Sequence, residues 1–468
     1  MKRTKIICSI GPASCDPDIM EQMVNKGMNV ARINFSHATK EEKEGVVASV
    51  HEVRKRTGKP IAILYDTKGP EFRSGMLKDG EITLTEGKTI RVVKKDILGD
   101  EDQITVNHPG ALDSISVGDT ILLENGLMRM DVISKDDAGL TCQIINGGVL
   151  GNKKSLNVPG VQLDMPFISE QDREDIIYAC EHEGDFLACS FVSSKEDVLE
   201  VRKILEEYNR PDLQIISKIE SSTGIDNIDS IIEVSDGIMV ARGDLGVEVP
   251  MHDLPMFQKM IIQKCREYGK FCIVATEMLA SMYKSSRPTR AEVSDIANAV
   301  LDGADAVMLS GETTMGKYPI DAVYYMADIC ENTESYIDYH KMPNPMSKLG
   351  VTDTIAKGVV DAADMLDVKV IGAATMSGFT AKKISNLKPE SIIMAACPTE
   401  AVARSLALNW GVYPVIVPIY HSTDEIIDGV KATAVKEMNL QKGDIMIITG
   451  GFPANTSIQT NFMKVEEI

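Results

Sequence analysis

The feature that most constrains this chain is a recurrence of short apolar runs separated by helix-length amphipathic stretches. The runs fall at residues 4–10, 28–33, 60–65, 186–189, 214–217, 237–240, 271–275 and 306–309, each long enough for a strand and too short for a helix. Strands that alternate with helices pair in parallel, because only a crossover returns the chain to the same edge of a sheet. Eight such strands predict an α/β fold closed into a (β/α)8 barrel.

The alternation breaks once. Between Ser74 and Met165, runs at 81–85, 89–93, 120–123 and 140–145 are separated by glycine and Asp-Asp turns instead of helices. That pattern predicts an inserted antiparallel unit, a small β-barrel lid. Lys68-Gly69-Pro70 and Asn157-Val158-Pro159-Gly160 flank it as candidate hinges. After Tyr339, a linker at Lys341-Met342-Pro343-Asn344-Pro345 leads into further αβ units with strands at 368–373, 391–395, 414–417 and 444–448. The expected division is 1–73 with 166–340 as a discontinuous catalytic barrel, 74–165 as the lid, and 346–468 as a C-terminal α/β regulatory domain. A length of 468 residues, too great for one ordinary core, agrees with several units.

Composition narrows the function. A net charge of −20 would repel a nucleic-acid backbone over most of the surface, so nucleic acid is not an expected partner. No run approaches eighteen consecutive apolar residues, and the basic start Met1-Lys2-Arg3 leads into an apolar run too short for a secretory leader. No membrane partner is expected. Nine cysteines without a C-x-x-C pair fit reduced thiols, and the expected location is cytoplasmic. An anionic small substrate would need a local basic pocket in so acidic a chain.

In a (β/α)8 barrel the chemistry sits at the C-terminal mouth, so the residues following each strand carry the functional reading. Polar clusters follow seven of the eight runs: Gly11-Pro12-Ala13-Ser14, Asn34-Phe35-Ser36-His37, Asp66-Thr67-Lys68-Gly69, Lys218-Ile219-Glu220, Ala241-Arg242-Gly243-Asp244, Thr276-Glu277 and Ser310-Gly311-Glu312. Glu220 and Asp244 form a partial shell for a hard divalent cation such as Mg²⁺. Lys218, two residues from Glu220 on an extended strand, points the same way and suits negative charge on a phosphoryl or enolate oxygen. Arg32, Arg73 and Lys154 add cations. Asn34, Ser36, Asp66 and Thr67 offer oxygen ligands with a single charge, a set that suits a monovalent cation. Each pattern has a plainer alternative: Lys218 with Glu220 as a barrel-mouth ion pair, Asp244 as a helix cap, His37 as a turn residue and Thr276 as a strand end.

Longer strings resolve the choice. KIICSIGPAS (5–14), ARINFSH (31–37), DTKGPEFR (66–73), ISKIES (216–221), SDGIMVARGDLGVEVP (235–250), RPTRAEVSDIANAVLDGADAVMLSGET (287–313) and SGFTA (377–381) occur in order along nearly the whole chain, which resembles the pyruvate kinase family. The resemblance implies transfer of a phosphoryl group from phosphoenolpyruvate to ADP, with Mg²⁺ or Mn²⁺ and K⁺ as cofactors. It assigns Lys218, Arg32 and Thr276 to catalysis, and Arg32, Lys218, Gly243, Asp244 and Thr276 to phosphoenolpyruvate. Asn34, Phe35, Ser36, His37, Arg73 and Lys154 fall to the nucleotide, Glu220 and Asp244 to the divalent ion, and Asn34, Ser36, Asp66 and Thr67 to K⁺. The proton donor to enolpyruvate stays open. Glu71, the acidic residue after Gly-Pro, marks the K⁺-dependent members.

Two positions depart from the family pattern: Glu277 replaces the usual glutamine, and Leu387-Lys388-Pro389 replaces an Arg-Pro pair. The second leaves effector binding open. A helix start at Ser377, Gly378 and Thr380 is the candidate site for a phosphorylated effector, with a plain capping turn as its alternative. The resemblance also implies a homotetramer, and the end at Ile468 fits the compact three-domain form. Two other classes remain as alternatives: a metal-dependent lyase or aldolase acting on pyruvate-like substrates, and a ligand-sensing relative without chemistry.

Overall fold

The computed structural model describes residues 1–36, 39–339, 350–451 and 459–468. His37 and the linker at Lys341-Met342-Pro343-Asn344-Pro345 lie outside these residues.

Eight parallel strands close into a barrel: Lys5–Ser9, Val30–Asn34, Ala62–Asp66, Phe186–Cys189, Gln214–Ile219, Gly237–Ala241, Phe271–Ala275 and Ala306–Leu309. They are largely apolar because both faces are covered, by helices outside and by each other's side chains within. The first strand pairs with the eighth, Lys5 to Ala306 and Ile7 to Met308, which completes the ring. Capping boxes begin several outer helices, as at Ser169 with Asp172, Ser194 with Asp197 and Thr289 with Glu292. The fifth strand runs two residues beyond its expected end, so Lys218 sits inside the ladder opposite Met239. Ile219 faces the helical layer and holds the strand there, which turns Lys218 inward.

The insert carries the four expected strands, at Glu81–Leu84, Thr89–Val93, Thr120–Leu123 and Gly139–Asn146. It also carries Gln103–Thr105, Met128–Asp136, Gly148–Gly151 and Leu156–Asn157. Its hydrogen bonding divides into a six-stranded sheet and a two-stranded ribbon around one apolar core, rather than one continuous ring. The insert rests on the barrel mouth: Asn157 Nδ2 donates to Glu248 Oε1 at 2.9 Å, and Gly160 N to Ser222 Oγ at 3.1 Å.

The C-terminal sheet orders its strands Val412–Ile416, Ile392–Cys397, Val370–Ala374, Ile445–Gly450 and Phe462–Glu467, the last antiparallel at the edge. This layer closes the floor of the barrel. Ala407 and Leu408 belong to the same apolar cluster as Ile7, Leu64, Phe186 and Met239 from inside the ring. Leu408 is fully buried. Truncating it to alanine should cost about 3 kcal/mol, because the surrounding strands cannot collapse into the gap; chemical denaturation checks this. Among the described residues no helix is long and apolar enough to cross a membrane, and all nine cysteines are free.

Candidate active site

At the opposite end of the ring, the strand ends surround a cavity of about 260 Å³. Its centre is Lys218. The ammonium stands 3.2 Å from Asp66 Oδ1, 3.0 Å from Glu220 Oε1 and 2.6 Å from Ser190 Oγ. Asp66 in turn accepts from Arg32 Nε at 2.7 Å, and Arg32 Nη1 donates to Ser9 Oγ at 2.7 Å. Arg32, Asp66, Lys218 and Glu220 are all buried, so their charges interact in a low dielectric and are strongly coupled.

Those couplings set the protonation states. Burial pushes Asp66 up, but Arg32 and Lys218 outweigh it and hold the carboxyl below its ordinary range. Burial pulls Lys218 down, yet Asp66 and Glu220 more than offset this and keep it protonated. Glu220 is pushed up to about 7, chiefly by burial, with Asp244 adding to the shift and Lys218 opposing it. Asp244 is raised by burial as well. Lys218 is shared with Asp66, so the Glu220 and Asp244 pair has less than one positive charge to balance it. Two buried carboxylates in that condition suit a divalent cation, and two protein ligands leave coordination positions for substrate oxygens. Among the described residues there is no cluster of three or more His, Cys, Asp or Glu ligands.

Asn34, Ser36, Asp66 and Thr67 line the same cavity, an oxygen-rich set with one charge that suits a monovalent ion. Asn34 Oδ1 also accepts from Ser36 N at 3.1 Å. Thr276 and Glu277 both adopt left-handed backbone, with φ of 70° and 57°. Such strain at adjacent non-glycine residues persists only where the surroundings over-determine it. Here the Thr276 carbonyl accepts from Arg242 Nη2 at 2.7 Å and its hydroxyl from Gly243 N at 2.8 Å, which ties the sixth strand end to the seventh. Asp244 lies in the first turn of the helix Arg242–Glu248, whose N-cap is Ala241, so the carboxylate is not spent as a cap.

Other expected residues lie elsewhere. Phe35 does not offer its ring to the cavity: it is buried, stacked on Tyr65 with centroids 5.1 Å apart, and covered by Lys43. A phenylalanine after a strand goes to the apolar layer when helices cover that side. Arg73 lines a second cleft, with Asp244, between insert and barrel, and pairs with Glu71 at 2.5 Å. Glu71 also pairs with Lys68 at 2.8 Å, and these two cations hold its carboxyl below the usual range against the effect of burial. Lys154 pairs with Glu124 at 2.5 Å within the insert. Glu312 is buried and anchors backbone, accepting from Leu279 N and Ser310 N. Glu277 is exposed and does not line the cavity.

Sequence reading passed over Ser9 and Ser190. Ser190 follows the fourth strand directly, the one strand end for which no polar cluster was expected. A larger cavity of about 940 Å³ adjoins the first and shares Arg32, Asn34 and Ser310 with it.

In the C-terminal layer, Ser377 and Thr380 line a small pocket beside the left-handed Gly378, the N-cap of the helix Phe379–Asn386. The Thr380 hydroxyl is shared with Thr460 at 2.7 Å. The described lining includes Met376 and Phe379 and no lysine or arginine. Lys388 does not reach this pocket; its ammonium pairs with Asp305 on the barrel floor at 2.5 Å.

Known proteins share this fold. The family model described as pyruvate kinase, barrel domain, matches residues 1–323, and that described as pyruvate kinase, alpha/beta domain, matches 353–466. A pyruvate kinase of Geobacillus stearothermophilus is 45% identical over 472 aligned positions, covering 100% of this chain and 80% of that protein. One of Clostridium acetobutylicum is 43% identical and covers 100% of both. The crystal structure of a pyruvate kinase from Cryptosporidium parvum superposes with a TM-score of 0.95 at 37% identity, covering 100% of this chain and 96% of that one.

Proposed function

The chain belongs to the pyruvate kinase family of glycolytic phosphotransferases, and from that premise we propose how its own residues move a phosphoryl group from phosphoenolpyruvate to ADP. The observation that carries the reading is the Lys218 ammonium, buried and held in charge between Asp66 and Glu220 at the barrel mouth.

The transferring phosphoryl spreads negative charge over its oxygens, and catalysis rests on positioning and electrostatic stabilisation. Lys218 and Arg32 supply fixed positive charge beside it, and neither needs to reorganise, because Asp66 orients both. Gly243 and Thr276, joined by the Gly243 N–H to the Thr276 hydroxyl, would meet the carboxylate end of the substrate. Glu220 and Asp244 would hold Mg²⁺ or Mn²⁺, and Asn34, Ser36, Asp66 and Thr67 would hold K⁺; the family generally depends on both. When bound, these ions neutralise phosphoryl oxygens and polarise the enolate. The adjoining larger cavity gives the nucleotide room beside Asn34, while Arg73, in the cleft between insert and barrel, and Lys154 would meet its phosphates by exchanging their carboxylate partners for phosphate. The Thr276 hydroxyl accepts from Gly243 N and donates to the Ala275 carbonyl, which fixes it at the strained strand end beside the cavity.

The first test is pyruvate formation from phosphoenolpyruvate and ADP with Mg²⁺, in the presence and absence of K⁺. Turnover is expected to need both ions. Full activity without K⁺ would end the argument from Glu71 and leave the rest standing; no turnover under any ion condition in a folded sample would reject the activity itself.

The same reading extends to regulation and assembly. A phosphorylated effector at Ser377, Gly378 and Thr380 would rely on helix N–H groups and hydroxyls, since no cation lines the described pocket. Exposed apolar side chains such as Met251, Met256 and Tyr336 favour the family's homotetramer. Nine unpaired cysteines favour the cytoplasm. The insert, 74–165, acts as the lid, and 346–468 as the regulatory domain.

A further inference from the structure

We propose that Ser190 is a positioning residue for the reaction, whose hydroxyl fixes the point at which the Lys218 ammonium meets the transferring group. The proposal rests on the catalytic reading of Lys218 given above.

Ser190 is 2% exposed and begins the turn after the fourth barrel strand. Its Oγ donates to the Thr67 carbonyl at 2.7 Å, and its backbone N–H donates to Thr67 Oγ1 at 3.3 Å. Asp66 Oδ1 lies farther off, at 3.4 Å. With its proton committed to Thr67, the hydroxyl turns a lone pair to Lys218 Nζ, which donates to it at 2.6 Å. A lysine side chain has four flexible carbons and three donors. Two carboxylates, Asp66 and Glu220, confine the ammonium to an arc; the third contact selects one point on that arc.

Ser190 itself cannot drift. Gly69, in left-handed backbone at φ 73°, is pressed against it so closely that an added Cβ would meet the Ser190 carbonyl oxygen at 2.8 Å. On its other side, Phe191 takes φ 57°, and its N–H donates to Glu220 Oε2 at 2.6 Å. The turn therefore couples the Thr67–Gly69 segment to the ammonium and to the carboxylate beside it. A hydroxyl used only to satisfy the Thr67 carbonyl would not need to face the lysine.

The experiment measures steady-state kinetics and melting temperature for Ser190→Ala and Ser190→Cys, with Lys218→Met and the Ser190→Ala/Lys218→Met pair as background. Ser190→Ala is expected to lower kcat about 10- to 100-fold, the scale of a misplacement near 1 Å, with KM for both substrates within about threefold. Its melting temperature should stay within a few degrees of the parent. Ser190→Cys, which keeps a weaker acceptor of similar size, should fall between. In the Lys218→Met background the alanine should add no further loss, because the residue acts only through the lysine. A kcat within about twofold of the parent in Ser190→Ala, a rise in KM at constant kcat, or an equal loss in both backgrounds would overturn the proposal. Normal turnover in Lys218→Met would overturn the role of Lys218 and this proposal with it; an inactive Lys218→Met beside a normal Ser190→Ala overturns this proposal alone.

Discussion

Lys218→Met is expected to lower phosphoryl transfer by about 10³-fold, the upper range for losing one preorganised charge at a developing oxyanion. Methionine keeps most of the stem's volume, so the cavity wall survives while the ammonium is lost. The charge is worth much here because it is desolvated and held in place. Burial alone would pull its pKa down, but Asp66 and Glu220 outweigh burial and keep the group protonated across the working range. Asp66 retains Arg32 as a partner at 2.7 Å, so the neighbouring ion pair survives the change. Glu220 loses Lys218 and keeps Asp244 beside it, which raises its carboxyl further and makes the variant more demanding of divalent ion. The measurement is kcat at saturating Mg²⁺, with circular dichroism to show a folded barrel. Turnover within about tenfold of the parent at saturating ion would sink the assignment.

Much of the fold and of this candidate site is legible in the sequence, for a physical reason. A parallel strand buried on both faces must be a continuous apolar run, so all eight barrel strands announce themselves, and the residue that breaks each run stands at the mouth by construction. Lys218 and Glu220 could be paired from spacing alone, and they meet at 3.0 Å. Legibility failed where polarity did not mark function. Glu312 looks like a site residue, yet it is consumed in holding the backbone of Leu279 and Ser310. Phe35 stands in a matching string, yet its ring packs on Tyr65. Ser190 was missed because a single serine followed by phenylalanine is a weaker polar signal than the clusters after the other strands. The edge strand Phe462–Glu467 and the long Met128–Asp136 strand were missed because about half their residues are polar, which leaves no continuous apolar run. Contacts across great sequence separation, such as Leu408 in the barrel floor, leave no local signature at all.

Lys388 is the clearest of those long-range contacts and carries the second large prediction. Its side chain is 2% exposed, its ammonium lies 2.5 Å from Asp305 Oδ1, and it stands over the Trp410 ring at 5.0 Å. Asp305 directly precedes the eighth strand and also accepts from Cys272 N at 2.9 Å, so one carboxylate joins the barrel's own ladder to the C-terminal layer. Asp305→Asn preserves an acceptor for Cys272 but strands a buried cation, and should cost about 3–5 kcal/mol at neutral pH. Burial already holds Lys388 below its ordinary pKa, with Asp305 opposing; without Asp305 it falls further. Between that lowered value and the ordinary lysine value the unfolded chain binds more protons than the folded one, so the variant's stability rises with pH through this window. Adding Lys388→Met removes the stranded charge and should recover most of the loss, since paired removal of a buried ion pair is often nearly neutral. Trp410, the single tryptophan, is buried at this junction, so its fluorescence during denaturation reads the docking directly. Additive costs in the double variant, or a deficit that does not shrink as pH rises, would mean that Lys388 reaches water and the junction is held by its apolar contacts alone.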